Sequence, residues 1–329
     1  APSALKASAD PTPDRAATSP LPPGVMSHRS TRRVVALASV FPSGLMATLR
    51  ARSERGRVLA GLGASASVIG TVTETDRVEI RCTGQPALTP TRSAPRAAWS
   101  ETSYRMQALR DNPTTAAEEF DRILDTADPG LNVSLTFDPD DDVSAPFVGG
   151  RKPRVAVLRE QGVNSHYEMA AAFMRAGFDA GDVHMSDLAD GRDSLDDYQC
   201  IVACGGFSFG DVLGAGGGWA KSILYQPALR DAFAEYFANA DSMALGVCNG
   251  CQMMSQLRDL IPGAAHWPRF LRNKSEQFEA RLNLVEIVDS PSLFLQGMTG
   301  SVLPIATSHG EGRTVFASDD DKAAARTAL

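Results

Sequence analysis

Two cysteines three positions apart, Cys248 and Cys251, lie in the stretch LGVCNGCQMM over residues 245–254. Each reading of the pair demands different chemistry. A C-x-x-C spacing suits a redox dithiol or half of a zinc site. A single cysteine between a short apolar run and a helical pattern suits a nucleophile, because a strand-to-helix turn projects its apex side chain out of the sheet. The helix behind that turn offers N–H groups and a positive dipole end, which favour thiolate over thiol. Plain packing of a small apolar side chain is the remaining reading. Zinc lacks a second ligand pair at suitable spacing, since Cys200 and Cys204 fall in an apolar run that reads as a strand, so no metal site is expected. A dithiol would put Cys251 about one turn into a helix that otherwise looks like core.

A second candidate feature is the glycine-rich GGFSFGDVLGAGGGWAKS over residues 205–222. Glycines after a strand let the backbone approach a ligand and present N–H groups to it. Gly205 and Gly206 are candidates for half of an oxyanion hole, with the Asn249 N–H as the other half. A glycine loop by itself is equally a flexible connection. Its combination with a cysteine elbow on a neighbouring strand is more specific.

These residues need elements to position them. RVAVLRE (154–160), CIVACGG (200–206) and SMALGV (242–247) read as successive buried strands. Between them NSHYEMAAAFMRAG (164–177) reads as a helix with Asn164 or Ser165 as N-cap and Gly177 as C-cap. GWAKSILYQPALRDAFAEYFAN (218–239) is helical with a break at Pro227, and NGCQMMSQLRDL (249–260) is the helix behind Cys248. Strands alternating with helices predict a parallel sheet covered on both faces. RLNLVEIV (281–288) and VLPIATSH (302–309) read as further strands. Upstream, 66–88 alternates apolar and polar residues around turn signals and reads as a strand pair, and 102–125 reads as helix broken near Pro113. Residues 127–153 are rich in Pro, Gly and Asp, as an ordered linker would be. Residues 1–57 show no sustained period and are expected to be a disordered leader.

Bulk properties narrow the function class. With 43% hydrophobic and 22% charged residues in 329, the chain has the composition of a soluble globular protein. A net charge of −7 argues against binding nucleic acid by phosphate neutralisation. No apolar run approaches the roughly 20 residues that span a bilayer, so no membrane partner is expected. Five cysteines, an odd and sparse set, predict reduced thiols and a cytoplasmic location.

Six segments together resemble one family: VLREQGVNSHYEMAAAFMRAGFDA, VHMSDL, CGGFSFGDVLGAGGGWAKS, GVCNGCQMMSQL, WPRFLRNKSEQFEARL and SHGEGR. They look like the carboxyl-terminal glutaminase domain of the long, single-chain phosphoribosylformylglycinamidine synthases. WSETSYRMQALRDNP and ADPGLNVSLTFDPDDDVSAPF are similar to the connector before that domain, and ASVIGTVTETDRVEI to the end of the synthase part. The likeness covers about residues 58–318. It implies an α/β class I glutamine amidotransferase fold, a flavodoxin-like open parallel sheet with helices on both faces, preceded by a partial α+β synthase remnant. The implied organisation is a leader over 1–57, synthase end and connector over 58–152, and glutaminase over 153–329.

The resemblance also implies roles. Cys248 would attack the side-chain amide of glutamine and form a glutamyl thioester. Gly206 and Asn249 match positions whose backbone N–H groups hold the oxyanion. Gln252 matches a position that helps hold glutamine, and Ser308, His309, Gly310 and Glu311 match a segment contacting its α-amino and carboxylate groups. The partners implied are glutamine and a synthase domain of the same polypeptide, which receives the ammonia. ATP and Mg²⁺ would belong to that synthase part, with no cofactor expected in these 329 residues.

One departure is important. The family's catalytic His and Glu stand in an H-P-E motif beyond the SHGEGR segment, and no H-P-E occurs in this sequence. His309 and Glu311 share the H-x-E spacing but match the earlier segment, and His28, His166, His184 and His266 read as surface or helix residues. The chain is therefore expected to be a fragment of a larger enzyme, truncated at both ends and inactive alone. Two other readings stay open: a stress-responsive or hydrolytic cysteine-elbow protein of the same fold, and a noncatalytic interaction module.

Overall fold

A computed structural model describes residues 70–128, 130–147 and 149–328. The expected leader over 1–57 lies outside them. The chain divides into two compact units between Asp76 and Arg77, and every named strand and helix lies in the second.

The centre of that unit is a four-stranded parallel sheet built from β3 (Arg154–Arg159), β4 (Asp179–His184), β5 (Cys200–Ala203) and β6 (Met243–Gly246). The strand order is β4-β3-β5-β6, the arrangement of flavodoxin-like sheets, in which ligands bind at the carboxyl ends of the strands. Successive side chains on a strand point to opposite faces. Ala156, Leu158, Ile201 and Ala203 therefore enter one core with Trp219, Phe233, Met253 and Leu257. Val155, Val157, Cys200, Val202 and Cys204 enter the other with Phe173. The first core packs on α5 (Gly217–Tyr225), α6 (Pro227–Ala238) and α7 (Asn249–Gln256), and the second on α3 (His166–Arg175). The doubly covered α/β sheet is thus the expected one.

β4 was not among the expected strands, so CIVACGG and SMALGV supply the third and fourth strands in chain order. β4 reads DAGDVH, and only Val183 is buried. An edge strand need not be apolar, and its polar content hides it from a search for buried runs. At the end of α3, Ala176 is the cap residue and Gly177 follows at φ +92°. Ser165 is the N-cap, but its hydroxyl accepts no N–H of its own helix and donates to the Gly205 carbonyl at 3.3 Å.

The two late strands form outside this sheet. β8 (Glu279–Glu286) and β9 (Val302–His309) pair antiparallel with each other, and β7 (Arg269–Leu271) pairs with β10 (Arg313–Val315). Upstream, the strand pair is the short hairpin β1 (Ile80–Cys82) and β2 (Gln85–Leu88), and the helix breaks into α1 (Ser93–Arg110) and α2 (Pro113–Arg122). Asn112 caps α2 by accepting from the Thr114 N–H at 3.0 Å. The linker contributes Ser134, which bridges to Val302, and Thr136, whose hydroxyl meets the buried Ser301 hydroxyl at 2.7 Å. A last helix, α8 (Asp319–Ala328), had no counterpart in the sequence reading. No helix among the described residues is long and apolar enough to cross a membrane.

Candidate active site

Cys248 occupies the turn between β6 and α7, with φ 53° and ψ −114°. A non-glycine residue in such a conformation costs about 1–3 kcal/mol and persists only where its surroundings hold it. The surroundings do so by hydrogen bonds to the neighbouring strand end. The Val247 N–H donates to the Ala203 carbonyl at 2.9 Å, and the Gly250 N–H donates to the Cys204 carbonyl at 2.9 Å. The helix starts behind the thiol, where the Gln252 N–H donates to the Cys248 carbonyl at 3.0 Å.

Gly250 makes this approach possible. A Cβ at Gly250 would stand 2.0 Å from the Ala203 carbonyl oxygen, inside the β5 backbone. Gly250→Ala is therefore expected to destabilise the domain by about 3 kcal/mol or more, at the upper end of overpacking costs. Urea unfolding followed by tryptophan fluorescence would measure it, and a change below about 1 kcal/mol would contradict the close approach.

The carboxyl end of β5 meets the elbow directly. A Cβ built on Gly205 would lie 3.2 Å from the Cys248 Cβ and 3.6 Å from its Sγ. Gly206, next along, forms an isolated antiparallel bridge with Val163. That bridge uses the N–H groups of Asn164 and Phe207. Neither the Gly206 N–H nor the Asn249 N–H donates a hydrogen bond among the described residues. Gly206 directly follows Gly205, and Asn249 directly follows Cys248.

The Asn249 side chain is fully buried and uses its whole hydrogen-bonding capacity. Its Oδ1 accepts from the Ser208 N–H at 3.2 Å and the Ser208 hydroxyl at 2.6 Å. Its Nδ2 donates to the Asp211 carboxylate at 2.9 Å and to the Gln252 Oε1 at 3.3 Å. Gln252 in turn donates from Nε2 to the Glu311 carbonyl at 2.6 Å. The Glu311 carboxylate accepts from the Ala215 N–H at 2.8 Å. The Cys248 thiol is 3.8 Å from the Ser308 carbonyl, which accepts from it. Residues 308–311 thus lie across the elbow although they come about 60 positions later in the chain.

His309 does not hydrogen-bond Cys248. Its Nδ1 lies 3.0 Å from the Asn273 Oδ1, which already accepts from the Gly312 N–H at 2.8 Å. Asn273 Nδ2 donates to the His309 and Gln277 carbonyls. Oδ1 is therefore an acceptor, and the hydrogen-bond network assigns the proton of a neutral His309 to Nδ1. His309 also lines a charged groove of about 420 Å³ between α2 and the β8–β9 hairpin. Four charges of that groove pair across it, Lys274 with Glu118 at 2.6 Å and Arg281 with Glu119 at 2.9 Å, and Cys248 does not line it. Of the other histidines, His184 ends β4 and its Nδ1 accepts from the Ser186 N–H at 3.1 Å. His166 opens α3 beside the Tyr167 ring, and His28 lies outside the described residues.

The thiols differ in environment. Cys248 and Cys82 are exposed, Cys251 is half-buried, and Cys200 and Cys204 are buried. Burial pushes the Cys200 thiol up to about 12 from 9.0 and does the same at Cys204, where the Asp182 and Glu168 charges add to it. Burial also raises the Cys251 thiol, with the Cys248 sulfur adding to the shift. Iodoacetamide at about pH 8 should label Cys82 and Cys248 and spare Cys200 and Cys204 until the chain unfolds. The same shifts set a stability trend. Between pH 9 and 12 the unfolded chain loses thiol protons that folded Cys200 and Cys204 keep, so their contribution, complete below about pH 9, is lost as pH rises towards 12. Unfolding titrations at about pH 8 and pH 10.5 should show that decline, which Cys200→Ala should reduce.

Of the residues singled out in the sequence, Cys248, Gly206, Asn249, Gln252 and Ser308–Glu311 fall in one cluster at the carboxyl ends of β5 and β6. Ser208, Asp211 and Asn273 belong to the same cluster and were not singled out. Ser208 and Asp211 are polar residues within a glycine loop and Asn273 follows β7 in RFLRNKSEQ, and none carries a local pattern that marks it.

A strained cysteine between a parallel strand and a helix, faced by a glycine-ended strand, is the nucleophile arrangement of the α/β amidotransferase and hydrolase folds. Residues 152–328 match the CobB/CobQ-like glutamine amidotransferase domain, and the chain belongs to that family. Among solved structures it is similar to PurLQS from Thermotoga maritima, at 28% identity over 51% of this chain and 72% of that chain, with a TM-score of 0.39. It is also similar to a glutamine amidotransferase from the same organism, at 20% identity over 50% of this chain and 63% of that one, with a TM-score of 0.31. The family assignment stands on the match over 152–328.

Proposed function

We propose that this chain carries the glutaminase part of a phosphoribosylformylglycinamidine synthase, an ATP-dependent C–N ligase of purine synthesis. The Cys248 sulfur attacks the side-chain amide carbon of glutamine. The carbonyl oxygen takes the negative charge and is met by the Gly206 and Asn249 N–H groups. Collapse expels ammonia and leaves a glutamyl thioester, which water then cleaves. Gln252 and residues 308–311 hold the substrate's main-chain groups. Ammonia would pass to a synthase domain of the same polypeptide, in which bound ATP and Mg²⁺ would supply the activation that lets the formyl amide of formylglycinamide ribonucleotide accept it. Five cysteines without a disulfide among the described ones support a reducing compartment, the cytoplasm.

The observation that carries the reading is the set of hydrogen bonds joining residues 308–311 to the elbow at Cys248, Gln252 and Ala215. It brings together segments distant in sequence that the family resemblance assigns to one glutamine site. The test joins this chain, extended by the family's H-P-E segment, to a synthase domain and supplies formylglycinamide ribonucleotide, ATP and glutamine labelled at its amide nitrogen. Label is expected in the amidine product, and Cys248→Ala should remove glutamine-dependent but not ammonia-dependent synthesis. Glutamine hydrolysis without amidine formation would return the chain to a glutaminase of another pathway.

A further inference from the structure

The glycine loop contains a second strained turn, and it is tied to the elbow through one buried amide. Phe209, Gly210 and Asp211 all have positive φ, at 52°, 63° and 52°. Two of the three carry side chains that disfavour it. Asp211 spends its Oδ1 on two bonds, from the Asn249 Nδ2 at 2.9 Å and from the Gly216 N–H at 3.3 Å. Ser208 holds the other end of the same amide. Asn249 is thereby clamped between residues 208 and 211 of the loop that starts at Gly205–Gly206. Its own N–H is one of the two donors free beside Cys248.

We infer that Asp211 is a positioning residue, with Ser208 as its counterpart: together they fix the Asn249 side chain so that the Gly206 and Asn249 N–H groups converge on one oxygen. This rests on the glutaminase reading above. The physical basis is distance. The two donors sit on different turns, one at the end of β5 and one at the start of α7, and the backbone joins them through the Gly250 N–H on the Cys204 carbonyl, which holds neither donor nitrogen itself. The Asp211–Asn249–Ser208 connection is the short link at the front. An oxyanion hole works only if both donors stand near 3 Å from the developing charge, and a misplacement of about 1 Å can cost about 100-fold. The charge of Asp211 is not required by this arrangement, because an amide oxygen at the same place accepts the same two bonds.

The experiment measures inactivation of the whole chain by the chloroketone analogue of glutamine, whose ketone oxygen needs the donors. Alkylation of Cys248 by iodoacetamide, which has far less need of them, is measured alongside. Asp211→Ala and Ser208→Ala are expected to lower the limiting chloroketone rate about 10–100-fold while changing the iodoacetamide rate on Cys248 less than about threefold. The half-saturating analogue concentration should move less than the limiting rate, since Gln252, though bonded to Asn249, keeps its own bond to the Glu311 carbonyl. Asp211→Asn should recover most of the wild-type rate. Equal losses with both reagents, or no recovery in Asp211→Asn, would reduce Asp211 to a residue that only supports the fold. Should Asp211→Ala fail to fold by circular dichroism, the comparison rests on Ser208→Ala, which keeps the Ser208 N–H bond. Absence of chloroketone labelling at Cys248 in the unaltered chain would refute the glutaminase reading itself, and a labelled chain indifferent to both substitutions would refute only this inference.

Discussion

Cys248→Ala is expected to abolish covalent capture of the glutamine chloroketone, with no other thiol taking it up at a comparable rate. Reagent size does not explain this, because Cys82 is also exposed and accepts small alkylators. What distinguishes Cys248 is its position. It is the N-cap of a helix, it faces the glycine-ended β5, and the Asn249 and Gly206 N–H groups near it are unengaged. Cys200 and Cys204 are excluded by burial and by thiols raised to about 12. Cys251 is half-buried with a raised thiol, so the C-x-x-C spacing leaves it a poor partner for redox chemistry. The readout is peptide mapping after brief exposure near neutral pH. Labelling that persists in Cys248→Ala, or that reaches Cys251 first, contradicts the assignment of the nucleophile.

The second large effect concerns turnover. A thiolate can attack an amide, but ammonia must be protonated as it leaves and water must be activated afterwards. A positioned His oriented by a carboxylate does both in cysteine and serine triads. In this chain His309 spends its Nδ1 proton on Asn273, and Glu311 spends its carboxylate on the Ala215 N–H. Neither is hydrogen-bonded to Cys248. The 329-residue chain should therefore release ammonia from glutamine about 10²–10⁴-fold more slowly than a domain with the family's H-P-E pair. Appending that carboxyl-terminal segment should restore the rate. A coupled ammonia assay compares the two. Full turnover by this chain, abolished by His309→Ala, would make the H-G-E segment the catalytic pair instead.

How far the sequence led depends on what each residue signals locally. The β5–Gly205–Gly206 and β6–Cys248–α7 units were legible because apolar runs, glycines and a helical pattern succeed one another within a few residues. The elbow itself depends on Gly250, whose lack of a side chain is visible in the sequence but whose contact with Ala203 is not. β4 was missed because an edge strand can be polar. The separate β8–β9 hairpin was seen as two strands, but which sheet they joined is a matter of pairing, and no local pattern encodes it. Ser208, Asp211 and Asn273 were missed for a related reason. Their roles come from partners 36 to 41 positions away, and a lone polar residue in a loop does not announce a distant partner. The placement of residues 308–311 over the elbow came from family resemblance rather than from any periodicity.

A crystal structure of the Cys248 adduct with the glutamine chloroketone is the most direct test of a thiol nucleophile served by donors at Gly206 and Asn249. A bond from Sγ to the former chloromethyl carbon is expected. The neighbouring carbonyl oxygen should stand about 2.7–3.1 Å from both the Gly206 and the Asn249 nitrogens, with the main-chain groups of the analogue against Gln252 and residues 308–311. An adduct whose oxygen points away from both nitrogens, with Gly206 more than about 8 Å from the sulfur where a donor must lie near 3 Å, would contradict it.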